Sequence, residues 1–321
     1  MVPYGAYPGI SSVFRHLRDA GLCADFEREP YYTAGGFPRW DDAPEGSVLL
    51  LGGHTRYGPM LRQPGLKKYV LWTSAPLQSE MAEGEIKTLR QVFEHLAADR
   101  LDGVLFGDAR MYQAYEHEHP GKVHWFPYPV ASPPAYLPGR PFADREAAVS
   151  LFFPQHPRKN TFAQFLAVRE AHRRSGLPTR VVTNCLPPVP VRGLNQLGWL
   201  SRPSYLHVLT NARLNLHVTV TESFGYQVID ALGQGVPSLV SETVARNLFH
   251  HQRRGISNLV SAAVMEDFEN PVEMAASIQE FLQEPPLLER LWEAQRSALA
   301  ETAAFHNQNL KSLLERLVQT P

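Results

Sequence analysis

Residues 221–242 read TESFGYQVIDALGQGVPSLVSE and follow directly on the apolar run LNLHVTV at 214–220. The run has the length and composition of a buried strand. From Phe224 to Gln234 the spacing changes to that of a helix, with Val228, Ile229 and Leu232 on one side. Gly235 suits the cap that ends such a helix, and Pro237 blocks its continuation. A second apolar strand begins at Ser238. In a parallel sheet, ligands sit at the carboxyl ends of strands, where helix N-termini point. A helix opening at Phe224-Gly225 offers free N–H groups and a partial positive charge to a phosphate. Gly225 lets the backbone approach a ligand closely. Glu222 stands before the helix and Asp230 within it, two carboxylates that can accept hydrogen bonds from the hydroxyls of a sugar or ribose.

The same alternation extends outward in both directions. Upstream, strands are expected at Met1–Tyr4, 47–51, 68–74, 103–106 and 123–126, with helices at 11–20, 86–98 and 109–117. A stretch with six prolines, FPYPVASPPAYLPGRP at 126–141, can neither pair within a sheet nor continue a helix, so it is read as a linker. Beyond it come a strand at 149–153, a helix at 161–175, a strand at 180–183 and a helix at 204–211. From Asn270 to Val318 the pattern is helical, broken near Pro285-Pro286. Strands alternating with helices predict parallel sheets covered on both faces. The expected architecture is α/β: two Rossmann-like, doubly wound domains, at 1–140 and 141–321, facing a central cleft, with a C-terminal helical tail.

The order Glu222, Ser223, Phe224, Gly225, then Asp230-Ala231 and Gly235-Val236-Pro237 resembles the signature of family-4 (group 1) retaining glycosyltransferases of the GT-B type. The family usually has Glu where this chain has Asp230, a shorter reach for the same charge. The resemblance runs through about residues 150–320 and is patchy over 1–145. It implies that LFFPQHPRKN (151–160) carries Arg158 and Lys159 to the donor diphosphate, where cations neutralise a leaving pyrophosphate. It implies Trp199 and Leu200 as contacts for the nucleotide base, and Ser223, Phe224, Gly225, Tyr226 and Asp230 as donor-binding positions beside the catalytic Glu222. Gly9, Ile10 and Ser11, in PGISSVFRHLRDA, match the glycine loop and first helix that face donor phosphate and acceptor. The family's N-domain His has no counterpart at Trp72-Thr73-Ser74, and His54, after SVLLLGG, is its nearest substitute. The tail's final helix is expected to be able to cross back to the first domain. The resemblance further implies transfer with retention from a nucleoside diphosphate sugar, a UDP-sugar, with neither a bound cofactor nor a metal.

Composition narrows the partners. The 321 residues carry a formal net charge of −1, so no overall basic field advertises nucleic acid or an anionic membrane. Cys23 and Cys185 are the only cysteines and have no metal-ligand spacing, as in a reducing compartment. No apolar run approaches the length of a membrane span and the N-terminus lacks signal-peptide features, so a cytoplasmic location without integral membrane contact is expected. Glu116-His117-Glu118-His119 reads as a solvated helix end, and His250, His251, Arg253 and Arg254 as a surface patch. The acceptor is open: a polysaccharide, a metabolite or a hydroxymethylated DNA base, with Arg39, Arg56, Arg62, Lys67 and Lys68 as a scattered basic face for DNA. Two other functions suit the same scaffold, a nucleotide-sugar epimerase and a non-catalytic nucleotide-sugar-binding module.

Overall fold

A computed structural model describes residues 2–4, 8–22, 48–52, 61, 64–82, 84–131, 141–153, 156–175, 180–249 and 257–319. By its internal contacts the chain divides into two units, Met1–Ser132 with Ala303–Pro321, and Pro133–Thr302.

The first unit contains β1 (Val2–Tyr4), α1 (Pro8–Asp19), β2 (Val48–Gly52), β3 (Lys67–Trp72), α2 (Pro76–Met81), α3 (Glu85–Ala97), β4 (Gly103–Phe106), α4 (Ala109–Tyr115) and β5 (Val123–Trp125). Its five strands are parallel and lie side by side in chain order. Val70, Leu71, Val104, Leu105 and Phe106 are fully buried, the continuous apolar pattern of strands covered on both faces. Asp108 caps α4 by accepting from the backbone N–H groups of Arg110 and Met111. The proline-rich stretch begins inside this unit, because Phe126, Tyr128 and Val130 alternate with its first prolines and are buried. Residues 132–140 of it lie outside the described residues.

The second unit contains β6 (Ala147–Leu151), α5 (Thr161–Ser175), β7 (Val181–Thr183), β8 (Leu194–Gln196), α6 (Arg202–Leu209), β9 (Ala212–His217), α7 (Tyr226–Gly233), β10 (Ser238–Ser241), α8 (Glu242–Phe249), α9 (Asn258–Ala262), β11 (Val264–Met265), α10 (Pro271–Gln283) and α11 (Pro285–Gln319). The strand order is β11-β10-β9-β6-β7-β8, all parallel. From β6 the chain winds outward through β7 and β8, then returns to lay β9 on the other side of β6. The winding therefore reverses between β6 and β9, and the crevice outside their carboxyl ends is where such sheets take ligands.

Local rules fix the frame around that point. Helix α7 ends in a Schellman turn: Val236 N–H donates to Ala231 O and Gly235 N–H to Leu232 O, with Gly235 at φ +74°. The buried Arg145 guanidinium donates to Ala212 O and Gly235 O, both at 2.9 Å, tying the start of β9 to the end of α7. From α11, Trp292 Nε1 donates to Leu232 O at 2.8 Å, and Gln295 bonds both the N–H and the C=O of Ser238. α11 runs on across the division, and from Ala303 onward it belongs to the first unit.

Candidate active site

After β6 the chain passes the buried Phe152 and Phe153 and enters a short 3₁₀ turn at Pro157–Lys159. His156 Nδ1 caps the turn by accepting from Arg158 N–H at 3.3 Å, and Asn160 leaves it in the left-handed region at φ +51°. Gln164, fully buried on α5, stitches this turn to the exit of β9. Its Nε2 donates to Lys159 O at 2.7 Å, and its Oε1 accepts from Val218 N–H at 3.1 Å. Val220 N–H donates to Arg158 O at 2.9 Å, so the two exit loops run side by side.

The stitching brings three charged side chains together. Arg158 Nη1 lies 3.2 Å from both carboxylate oxygens of Glu222, and Lys159 Nζ donates to Glu222 Oε2. His217, the last residue of β9, places Nε2 at 3.4 Å from the same Oε2. Burial alone would raise the Glu222 carboxyl, but Lys159, His217 and Arg158 hold it well below the usual carboxylate range. Burial draws the Lys159 ammonium down against the pull of Glu222. Burial also lowers the His217 imidazole, which keeps it neutral near pH 7. Two cations face one carboxylate, so the cluster has an excess of positive charge suited to an anion.

The turn into α7 completes this region. Gly225 takes φ +99°, where an L side chain is strained, and a Cβ there would sit 3.1 Å from Val244 Cγ1. The helix therefore begins at Tyr226, later than the expected Phe224, and its N-cap, Gly225, has no side chain to cap it with. Phe224 is buried and packs edge-on against Tyr226 with centroids 5.2 Å apart. Asn247 on α8 donates to Ser223 O at 2.8 Å and holds the loop from behind.

Arg158, Lys159 and Glu222 thus form one cluster, followed at once by Ser223, Phe224, Gly225 and Tyr226. Asp230 has a different neighbour. Arg202, at the start of α6, clasps its two oxygens at 2.9 and 2.7 Å. Any hydroxyl that Asp230 is to hold must share the carboxylate with that guanidinium. Trp199 is 79% exposed, while Leu200 packs partly buried against the core. Gly9, Ile10 and Ser11 lie in the first turn of α1, and nothing further of their side chains is described. His54 lies outside the described residues, as do Cys23, Arg39, Arg56, Arg62, His250, His251, Arg253 and Arg254. Lys68 is buried in β3, and Lys67 Nζ donates to Val318 O at 3.3 Å, so neither offers an unengaged surface charge. The His117 side chain is 90% exposed beside Glu116, past the end of α4. Among the described residues no group of three His, Cys, Asp or Glu could hold a metal, and no helix is long and apolar enough to cross a membrane.

Sequence reasoning missed His217, Arg202 and Gln164. The signal for His217 was present as the one titratable residue inside LNLHVTV. Arg202 and Gln164 carried none, because their partners are set by packing between elements.

No protein-family model and no curated protein matches this chain. Solved structures do. TarM of S. aureus, in complex with fondaparinux, α-GlcNAc-glycerol and UDP, aligns over 85% of this chain at 13% identity with a TM-score of 0.62. The chain spans only 55% of that protein's length. A trehalose-6-phosphate protein of E. coli bound with UDP-2-fluoro glucose aligns over 87% of this chain and 74% of its own, at 11% identity and a TM-score of 0.58. Sucrose-phosphate synthase of Thermosynechococcus elongatus aligns over 84% and 73%, at 14% identity and a TM-score of 0.55. The fold is that of the GT-B glycosyltransferases. At these identities the GT-B likeness speaks for the architecture, and the chemistry rests on the site.

Proposed function

We propose that this chain is a glycosyltransferase that moves a hexosyl group from a UDP-sugar to a hydroxyl acceptor, with retention, in the manner of family 4. The observation that carries the reading is the cluster of Arg158, Lys159 and Glu222 at the winding reversal, just before the N-terminus of α7. Arg158 and Lys159 neutralise the charge that develops on the departing diphosphate, and the N–H groups at the start of α7 add to that field. Glu222 accepts hydrogen bonds from hydroxyls of the transferred sugar. Asp230 holds the ribose alongside Arg202, and the exposed Trp199 offers a face to the base, with Leu200 following it against the core. The bond between the anomeric carbon and the diphosphate oxygen breaks with its electron pair going to the diphosphate. The acceptor oxygen bonds to the same face of that carbon, and its proton passes to the departing phosphate. Arg158, Lys159 and the helix terminus supply the electrostatic work, so the reaction is expected to need no metal. The donor complexes of two structurally similar proteins, with UDP and with UDP-2-fluoro glucose, support the choice of UDP.

The acceptor class is tested together with the donor. Incubating the protein with UDP-, GDP- and ADP-sugars and sets of glycan, metabolite and hydroxymethylated-DNA acceptors, with and without chelator, should release UDP from one UDP-sugar. Binding without turnover on any acceptor would support the second reading, a non-catalytic nucleotide-sugar-binding module. The clasp of Arg202 on Asp230 favours that alternative. Interconversion of the sugar nucleotide without an acceptor would make the protein an epimerase.

A further inference from the structure

We propose that His217 is a positioning residue that takes hold of Glu222 when the donor diphosphate draws Arg158 and Lys159 away from it. The inference deepens the glycosyltransferase reading and rests on it.

The His217 side chain is 1% exposed, and neither ring nitrogen has a hydrogen-bond partner among the described residues. A buried polar group left in that state is costly and calls for a reason, a catalytic role among them. Glu222 Oε2 lies 3.4 Å from Nε2, too long for a good hydrogen bond. The charged groups that act on the ring are Glu222, from the loop after β9, with Lys159 and Arg158, from the turn after β6. The Glu222 carboxylate is presently occupied by the same two cations that a diphosphate would recruit. Once they turn to the phosphates, a buried carboxylate is left with no donor, unless a neighbour supplies one. A neutral imidazole with its proton on Nε2 has one N–H to give. A shift of roughly half an ångström brings it to the length of a charge-assisted hydrogen bond, about 2.7–2.9 Å. No proton is transferred; His217, whose long contact already favours the charged carboxylate, closes up into the donor that keeps Glu222 aimed at the sugar.

The test uses UDP as the probe, with calorimetry on the full chain and thermal melting of the free protein. The variants are His217→Leu and His217→Gln, each made alone and in a Glu222→Gln background. Because the ring makes no well-formed hydrogen bond in the free protein, His217→Leu is expected to melt no lower than the parent. It should nevertheless bind UDP roughly 10- to 100-fold more weakly, the worth of a hydrogen bond to a buried charge. His217→Gln, whose amide nitrogen reaches a similar place, should bind within about threefold of the parent. In the Glu222→Gln background the Leu change should add almost nothing, since His217 acts through Glu222. Unchanged UDP affinity in His217→Leu would overturn the proposal. So would a weakening that accompanies a lower melting temperature, which marks a packing role. An equal weakening with and without Glu222→Gln would place His217 on the ligand itself and also overturn it. A parent protein that binds no nucleoside diphosphate would sink the glycosyltransferase reading, whereas UDP binding indifferent to His217 sinks this inference alone.

Discussion

Glu222 answers a structural need as well as a chemical one. The Lys159 ammonium, 7% exposed, has Glu222 as its counterion. Glu222→Ala strands that buried charge and is expected to cost about 3–5 kcal/mol of stability. Lys159→Met alone should be costly for the mirrored reason. The double variant Lys159→Met/Glu222→Gln, which removes both charges at similar volume, should recover much of the loss in urea denaturation. Acid behaviour separates the neighbours. His217 has a native value lowered by burial, against an unfolded value of about 6.5. Below that pH the unfolded chain takes up a proton that the native ring refuses, so stability falls as pH drops from about 7 toward 5. His124, also lowered by burial and by Arg316, adds to the slope. Glu222 acts in the other window: its native value is depressed, so its contribution is in full force above about 4.3 and is lost only as pH falls through the depressed value. Denaturation at pH 7.5, 6.5 and 5.5 should therefore give a shallower slope for His217→Leu than for the parent, and a slope equal to the parent's would refute this account. At this scale the sequence showed the cluster's charged members because Arg158, Lys159 and Glu222 stand in short recognisable segments. It hid their neighbours, because the clasp of Arg202 on Asp230 is created by α6 packing beside α7.

Among the elements, the loop from β9 into α7 carries the most meaning per residue. Gly225 turns the chain at φ +99° with Val244 close behind it. Gly225→Ala is expected to lose about 1–3 kcal/mol through backbone strain and to weaken UDP binding, because the first N–H groups of α7 would swing off line. A calorimetric titration showing wild-type affinity would separate the turn from the donor site. The end of α7 and the start of β10 were legible because Gly235 and Pro237 close the helical spacing and have one mechanical reading. β8 was not: Leu194-Asn195-Gln196 is short and largely polar, and it is a strand only because β7 offers it a backbone ladder. α8 was missed because it begins at Glu242 immediately after Ser241 of β10, with no turn residue to mark the join.

For the whole molecule, two units built on parallel sheets were readable from the alternation of elements and the prolines at 126–141. The family resemblance alone raised the expectation that the final helix can cross back; the point at which its membership changes was not readable, since a 35-residue helical pattern does not announce where its neighbours change. Its last part is held by specific bonds. The Asn307 amide accepts from Val130 N–H at 3.1 Å and donates to Val130 O at 2.7 Å, and His306 Nδ1 lies 3.0 Å from Tyr128 O. Asn307→Ala leaves two main-chain groups of a buried residue unpaired and should cost about 1–3 kcal/mol. Hydrogen exchange should locate the loss around residues 126–131 rather than in β6–β11, and uniform loss would mean that the two units unfold as one. The membership of α11 also sets an order of assembly. A growing chain that has released residues 1–132 still lacks the segment from Ala303 on, so the first-made unit is the last to be finished. The second unit, one continuous stretch, is able to close before then, whereas the N-terminal sheet gains its remaining support only when the last part of α11 has been delivered.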